Sequence, residues 1–291
     1  MPRSPSKPVK STAVANDSRF RSVAAFWTLT EHPGPGSREW SLARKLRSLR
    51  DSGFTALCSD LGEKESAIVR EAGIEPVGLV FGHEPDRYPA LIAAAARTGA
   101  KIANLQLMNP DLPTAEALRR WILLERLAAD AGIELSLETH RATVTETPAQ
   151  LFALASRYEQ KTGRLLRLTW DFSHIGVVKH FEPARVAELC LTRSDLIAHA
   201  SQFHFRPFNG QHAQIPVARQ GKLTAEIAPY LEFVTGILRI WKAAPANRTR
   251  LLYACPELGP VPGGYALTSF PKSWPDAVRL QRELEACWRA A

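Results

Sequence analysis

The chain has 291 residues, 45% of them hydrophobic, and a formal net charge of +8. That length and apolar content suit one large globular domain or two small ones. Half of the excess charge sits in residues 1–21, where Arg3, Lys7, Lys10, Arg19 and Arg21 oppose only Asp17. The body that follows is left near +4, a weak argument for a polyanionic partner, so no nucleic acid is expected.

Residues 1–21 are rich in Ser, Pro and Lys and lack the apolar core of a secretory signal. We expect them to form a basic, mobile arm, with one domain over 22–291. No apolar run is long enough to span a bilayer, so no membrane partner is expected. Cys58, Cys190, Cys255 and Cys287 show no C-x-x-C spacing and are expected to be reduced and partly buried, as in a cytoplasmic protein.

From residue 22 the chain alternates strand-like and helix-like segments. A strand over 22–29 precedes a helical stripe of Trp40, Ala43, Leu46 and Leu49 that stops at Gly53. Strands over 54–60, 75–81 and 101–108 follow. The helix after the third is weakly patterned. Leu118, Trp121, Leu124, Ala128 and Ala131 share one helical face, with Gly132 as a stop. The strand at 133–138 breaks into the polar run Ala142-Thr-Val-Thr-Glu-Thr-Pro148, and Leu151, Leu154, Ala155 and Tyr158 form the next stripe. Thr147-Pro148-x-Gln150 caps its start and Gly163 its end. A strand at 165–171, a poorly drawn helix and a strand at 200–205 come next. Ile227, Leu231, Val234, Leu238 and Trp241 make the cleanest stripe. A last strand at 250–257 leads to Ala277, Leu280, Leu284 and Trp288, after an expected Ser273-x-x-Asp276 cap.

Eight strands, each followed by a helix, in ~250 residues match a closed (β/α)8 TIM barrel. The competing doubly wound sheet usually shows a Gly-rich phosphate turn after its first strand. Here that turn is Thr30-Glu-His-Pro-Gly-Pro-Gly36, whose prolines do not suit a phosphate-cradling helix start.

In such a barrel the active site lies where the strands end. The fifth strand ends at Glu138, with His140 two residues on. The sixth ends at Asp171, with His174 three residues further. The seventh carries His204 and Arg206, and the eighth ends at Glu257. Taken singly, each is a capping carboxylate or a satisfied core histidine. Together they close four consecutive strands and should converge. Three carboxylates crowded out of bulk water repel one another, and a divalent cation relieves both the repulsion and the desolvation. Carboxylates with one imidazole suit Mn²⁺, Mg²⁺ or Co²⁺ better than a closed zinc site.

Leu137-Glu138-Thr-His140, Trp170-Asp171-Phe-Ser-His174, Phe203-His204-Phe and Pro256-Glu257 resemble the metal motifs of the xylose-isomerase-like barrels. That superfamily includes ketose 3-epimerases, inosose dehydratases and isomerases, hydroxypyruvate isomerases and endonuclease IV nucleases. The resemblance covers the body of the chain in strand order. It implies Glu138, Asp171, His204 and Glu257 as metal ligands, with Mn²⁺ first and Mg²⁺, Co²⁺ or Zn²⁺ as alternatives. It also implies His174 and Arg206 as contacts to substrate oxygens. Glu138 and Glu257 would move protons on opposite faces of a hydroxy-ketone whose enediolate the metal stabilises.

Further residues at the expected mouth are candidates for a sugar or polyol substrate: His32 after the first strand, His83 after the third, Asn109 after the fourth, His140 and Arg141 after the fifth. His212 in the Asn209-Gly-Gln-His loop joins them. The leading expectation is a metal-dependent sugar isomerase or epimerase. The alternative is a dehydratase or lyase acting on a keto-sugar, keto-glycoside or keto-inositol. A nuclease is the weakest, because its metal cluster needs histidines that the second strand end, Cys58-Ser-Asp60, lacks. Relatives often pair through helices or barrel faces, which implies a homo-oligomer.

Overall fold

The computed structural model describes residues 19–291. Eight parallel strands close into one barrel: β1 (Phe20–Ala25), β2 (Ala56–Ser59), β3 (Glu75–Gly82), β4 (Ile102–Leu107), β5 (Glu134–Glu138), β6 (Leu168–Asp171), β7 (Gln202–His204) and β8 (Leu252–Cys255). Each strand pairs with its sequence neighbours, and β1 closes the ring against β8 with Phe20 opposite Leu252. The arm expected over 1–21 lies outside the described residues as far as residue 18. Phe20 and Arg21 already belong to β1. Among the described residues no helix is long and apolar enough to cross a membrane.

The ring of helices comprises α1 (Leu42–Asp51), α2 (Glu63–Glu71), α3 (Tyr88–Arg97), α4 (Thr114–Asp130), α5 (Pro148–Thr162), α6 (Phe172–Lys179), α7 (Pro183–Leu191), α8 (Ser194–His199), α9 (Ile227–Ala243) and α10 (Ser273–Ala290). The weakly patterned stretch after the sixth strand is thus three short helices. The main apolar core lies between strands and helices. There Trp121, Leu124 and Ala128 of α4 and Leu151, Leu154, Ala155 and Tyr158 of α5 are buried, as a one-faced stripe requires. Ala131 falls past the end of α4 and is exposed. The start of α5 is a capping box: Thr147 accepts from the Gln150 N–H and the Gln150 side chain accepts from the Thr147 N–H. Gly163, at φ 69°, ends that helix in the left-handed conformation glycine favours.

The expected Ser273-x-x-Asp276 cap is not formed. Ser273 donates its hydroxyl to the Gly259 carbonyl at 3.0 Å. Asp276 accepts the backbone N–H groups of Val217 and Ala218 at 2.8 and 2.9 Å. The acid therefore tethers the long connection after β7 to α10. The run after β5 also differs from a solvated loop. Thr143, Val144 and Thr145 are buried, and the Val144 N–H donates to the Leu107 carbonyl at 3.0 Å.

The barrel interior has two characters. Val23, Ala25, Ala56, Cys58, Val77, Ile102, Tyr253 and Cys255 form a small apolar cluster on one side. The other side is polar, with Asn104, Ser136, Glu138, Gln202 and His204 all buried. Gln202 donates to the Ser136 hydroxyl at 3.3 Å, so the polar interior is partly self-satisfied below the site.

Candidate active site

Strand ends bring Glu138, His204 and Glu257 into one buried group at the C-terminal mouth of the barrel, with a ligand atom of each within 4.8 Å of the others. Glu138 is the last residue of β5 and His204 the last of β7. Glu257 stands two residues beyond β8. The His204 Nδ1 lies 2.9 Å from Glu138 Oε1 and 2.8 Å from Glu257 Oε2. The other oxygen of each glutamate is anchored. Glu138 Oε2 accepts from the side-chain amides of Asn104 at 2.6 Å and Gln106 at 2.8 Å. Glu257 Oε1 lies 2.8 Å from the Arg206 guanidinium.

Asp171, at the end of β6, adjoins this group without joining it. Its Oδ1 accepts the Ser173 N–H and hydroxyl at 3.0 and 2.6 Å, capping α6. Its Oδ2 faces Arg206 and His174, each at 3.4 Å. The reason lies in the spacing of β7. His204 and Arg206 are two positions apart, so both side chains point to the same side of the extended chain. The fully buried guanidinium then inserts between Asp171 and Glu257. Tyr265 and Trp27 flank Arg206, their ring centres 3.9 and 5.3 Å from its guanidinium carbon.

The electrostatics follow from these contacts. Burial pushes the Glu138 carboxyl up, but His204 and the hydrogen bonds outweigh it and hold it at about 2. Glu257 behaves alike: burial raises it, Arg206 and His204 lower it further, and it too lies at about 2. For Asp171 burial wins over Arg206, and its carboxyl is raised to about 6. Burial lowers His204, yet Glu257 and Glu138 raise it well above an ordinary histidine. His174 is lowered well below that value, by burial first and then by His140 and Arg206.

The donor set fits a divalent cation held by Glu138, His204 and Glu257. Neighbouring ligands of an ion with bond lengths near ~2.1 Å stand about 3 Å apart in an octahedral shell, which is the spacing His204 Nδ1 keeps from both carboxylates. That nitrogen carries at most one hydrogen for two acceptors, and Glu257 Oε2 is left buried without a hydrogen bond. Three carboxylates against Arg206 also leave two negative charges once His204 is neutral, which one divalent cation neutralises.

Above the group opens a cavity of about 490 Å³. It is lined by Glu138, His204 and Glu257 and, of the other sequence candidates, by His140 and Arg141. His174 and Arg206 lie behind this wall. His174 packs on His140 with ring centres 4.3 Å apart, and neither His174 nor Arg206 lines the cavity. Four candidates stand away from it. His83 is exposed and offers its backbone carbonyl to Arg120. Asn109 is exposed and caps the Asp111 N–H. His212 is exposed and bound to the Asn209 side chain. His32 is buried edge-on against Trp40 and borders a separate pocket of about 190 Å³ with Lys272 and Ser273. Burial, then Lys272, lowers its pKa. A strand-end rule locates a residue along its strand but not the direction a loop side chain takes, and these four follow loops that turn away.

Several residues of the site escape the sequence reading. Asn104 and Gln106, two apart within apolar β4, carry a visible signal: amides alternating inside a strand point into the barrel. Gln106 lines the cavity with Cys58, Asp60, Trp27, Phe81 and Tyr265, and Tyr265 arrives on the connection after β8 with no motif to announce it. All four cysteines are free and buried.

A closed ring of eight parallel strands wrapped by helices defines a TIM barrel, and comparison with solved structures finds the same fold. No family model and no curated protein matches the sequence. Among solved structures, an L-ribulose 3-epimerase is 12% identical, with a TM-score of 0.60 over 93% of this chain and 96% of its own. A xylose isomerase-like TIM barrel protein from Mycobacterium smegmatis in complex with magnesium is 16% identical, with a TM-score of 0.58 over 94% and 100%. A probable 3-DHS dehydratase, AsbF, from Bacillus anthracis is 12% identical, with a TM-score of 0.55 over 92% and 97%. The chain shares the closed TIM-barrel fold of these proteins. At these identities the likeness establishes the fold alone.

Proposed function

We propose that the protein is a divalent-metal-dependent isomerase or epimerase that moves a proton on a hydroxy-ketone sugar or polyol through an enediolate. The observation that carries this reading is the pair of glutamates, each anchored by one oxygen and presenting the other beside His204 at the floor of the cavity. Glu138, His204 and Glu257 would hold the cation, with Mn²⁺ first and Mg²⁺, Co²⁺ or Zn²⁺ as alternatives. When bound, it supplies Lewis acidity toward a carbonyl and its neighbouring hydroxyl. Glu138 and Glu257, both held well below the ordinary carboxylate range, are ionised at neutral pH, the form that a cation ligand and a proton acceptor both require. Asn104 and Gln106 orient the first and Arg206 the second, so neither carboxylate has to reorganise as the proton moves. A nuclease finds less support. The end of β2 contributes no histidine, and His83, after β3, is exposed and outside the cavity.

The test is incubation of chelator-stripped and Mn²⁺-loaded protein in D₂O with ketohexoses, 2-keto-inositol and 3-keto-glucosides, followed by NMR. Deuterium next to the carbonyl together with an isomer or epimer, only in the loaded sample, is the expected result. An unsaturated product replaces this reading with the dehydratase or lyase. Equal behaviour of stripped and loaded protein on every substrate overturns both.

A further inference from the structure

We propose that the substrate of this cavity carries an anionic group, a carboxylate or a phosphate monoester, and that Arg141 binds it. The proposal rests on the reading of the mouth cavity as the substrate site and adds the charge class of what enters it.

The two basic groups at the cavity floor and in its wall are already matched. His204 faces Glu138 and Glu257, and Arg206 faces Glu257 and Asp171. Arg141 lines the same cavity, is exposed to it, and has no ion pair among the described residues. Its guanidinium lies 4.5 Å over the Tyr265 ring, the ring that also carries Arg206 at 3.9 Å. A guanidinium stacked on an aromatic ring keeps its N–H edge free for a planar acceptor, and carboxylates and phosphates fit that fork. The remaining exposed carboxylate of the lining, Asp60, follows β2, three strands from β5 in the barrel order. Its charge favours an anion on the Arg141 side.

The backbone beneath Arg141 is built to hold it. Ala142 sits at φ 58°, a conformation residues with a side chain rarely adopt. It is fixed there because its N–H donates to the Glu146 carboxylate at 2.8 Å and its carbonyl accepts from the Asn109 N–H at 3.1 Å. On the other side the Thr143 hydroxyl donates to the His140 carbonyl at 2.6 Å. A side chain stacked on a ring and carried by a fixed loop gives up little freedom on binding, so its ion pair appears in affinity. The reacting end of the substrate then lies at the Glu138–His204–Glu257 floor and its anion at the rim.

D-Fructose, D-fructose 6-phosphate and D-fructuronate differ only in the group on one terminal carbon, which makes them a matched set of probes. Calorimetric titration of each into Mn²⁺-loaded wild type, Arg141→Gln and Arg141→Lys reads the effect without requiring turnover. One charged ligand should bind about 10- to 100-fold more tightly than D-fructose to the wild type, the range of a charge-assisted hydrogen bond. Arg141→Gln should erase that advantage, and Arg141→Lys should keep part of it. Which charged ligand gains identifies phosphate or carboxylate. If neither outbinds D-fructose, or the advantage survives in Arg141→Gln, the proposal is overturned. Arg141-dependent binding with no exchange or product would sink the proposed reaction alone, whereas turnover without a charge preference would sink this proposal alone.

Discussion

Replacing Arg206 with methionine tests the electrostatic design of the site most directly. The guanidinium is fully buried and stands 2.8 Å from Glu257 and 3.4 Å from Asp171. Methionine keeps an unbranched apolar side chain between Tyr265 and Trp27 but leaves two buried carboxylates without their cation. Breaking a buried ion pair by deleting one partner costs about 3–5 kcal/mol, and in a domain of this size that lowers Tm on the order of 10 °C. The cost should depend on pH in a definite direction. Asp171 is raised to about 6, so the folded protein favours its neutral form. That contribution is complete below the ordinary 3.8 and is lost as pH rises through 6. Without Arg206 the carboxyl rises further, and the added cost appears mainly above pH ~6. Urea unfolding of metal-free protein at about pH 5.5 and about pH 8 should therefore show a markedly larger loss at the higher pH. At that pH the double variant Arg206→Met with Asp171→Asn should recover part of it. Equal losses at both pH values, or an Asp171→Asn change that adds its own cost to that of Arg206→Met, would refute the reasoning.

Two further outcomes follow from the same geometry. Glu138→Gln and Glu257→Gln should each lower bound Mn²⁺ per chain, measured by elemental analysis after dialysis, while Asp171→Asn should stay near the wild-type stoichiometry because that carboxylate faces Arg206 and His174. Equal depletion in all three would return Asp171 to the ligand set. Thr147→Ala should destabilise the protein by about 1 kcal/mol in urea unfolding by removing the capping box of α5, and an unchanged midpoint would show that helix packing alone fixes its start.

The barrel is legible in the sequence because its determinants are local. Apolar runs ending in polar residues mark strands, and one-faced stripes mark the helices between them. Strand limits are less legible. Residues 165–167 lead into β6 without joining its ladder, and Phe20 and Arg21 join β1 because Leu252 and Tyr253 stand opposite them. That partner is more than two hundred residues away. The candidate site divides along the same line. Glu138, His204 and Glu257 are found from strand ends alone. The turn of Asp171 toward Arg206 is not, because it depends on which of two inward side chains reaches the carboxylate. Asn104 and Gln106 are a different case: their signal is present, as amides alternating in an apolar strand, but it looks like tolerated polarity until Glu138 is seen to need both.

The pairing of β1 with β8 has a consequence for how the site comes into being. Trp27 follows β1, whereas Arg206, Glu257 and Tyr265 come from the last third of the chain, and a Cβ added to Gly259 would stand only 2.7 Å from the Trp27 indole. The first and last segments thus meet around the same guanidinium. Such long-range closure is slow compared with local helix formation. A chain that has lost its last strand would keep Glu138 and His204 but lack both the Glu257 carboxylate and the ring over Arg206. Competence for the chemistry is therefore expected to arrive in one late step, when the barrel shuts.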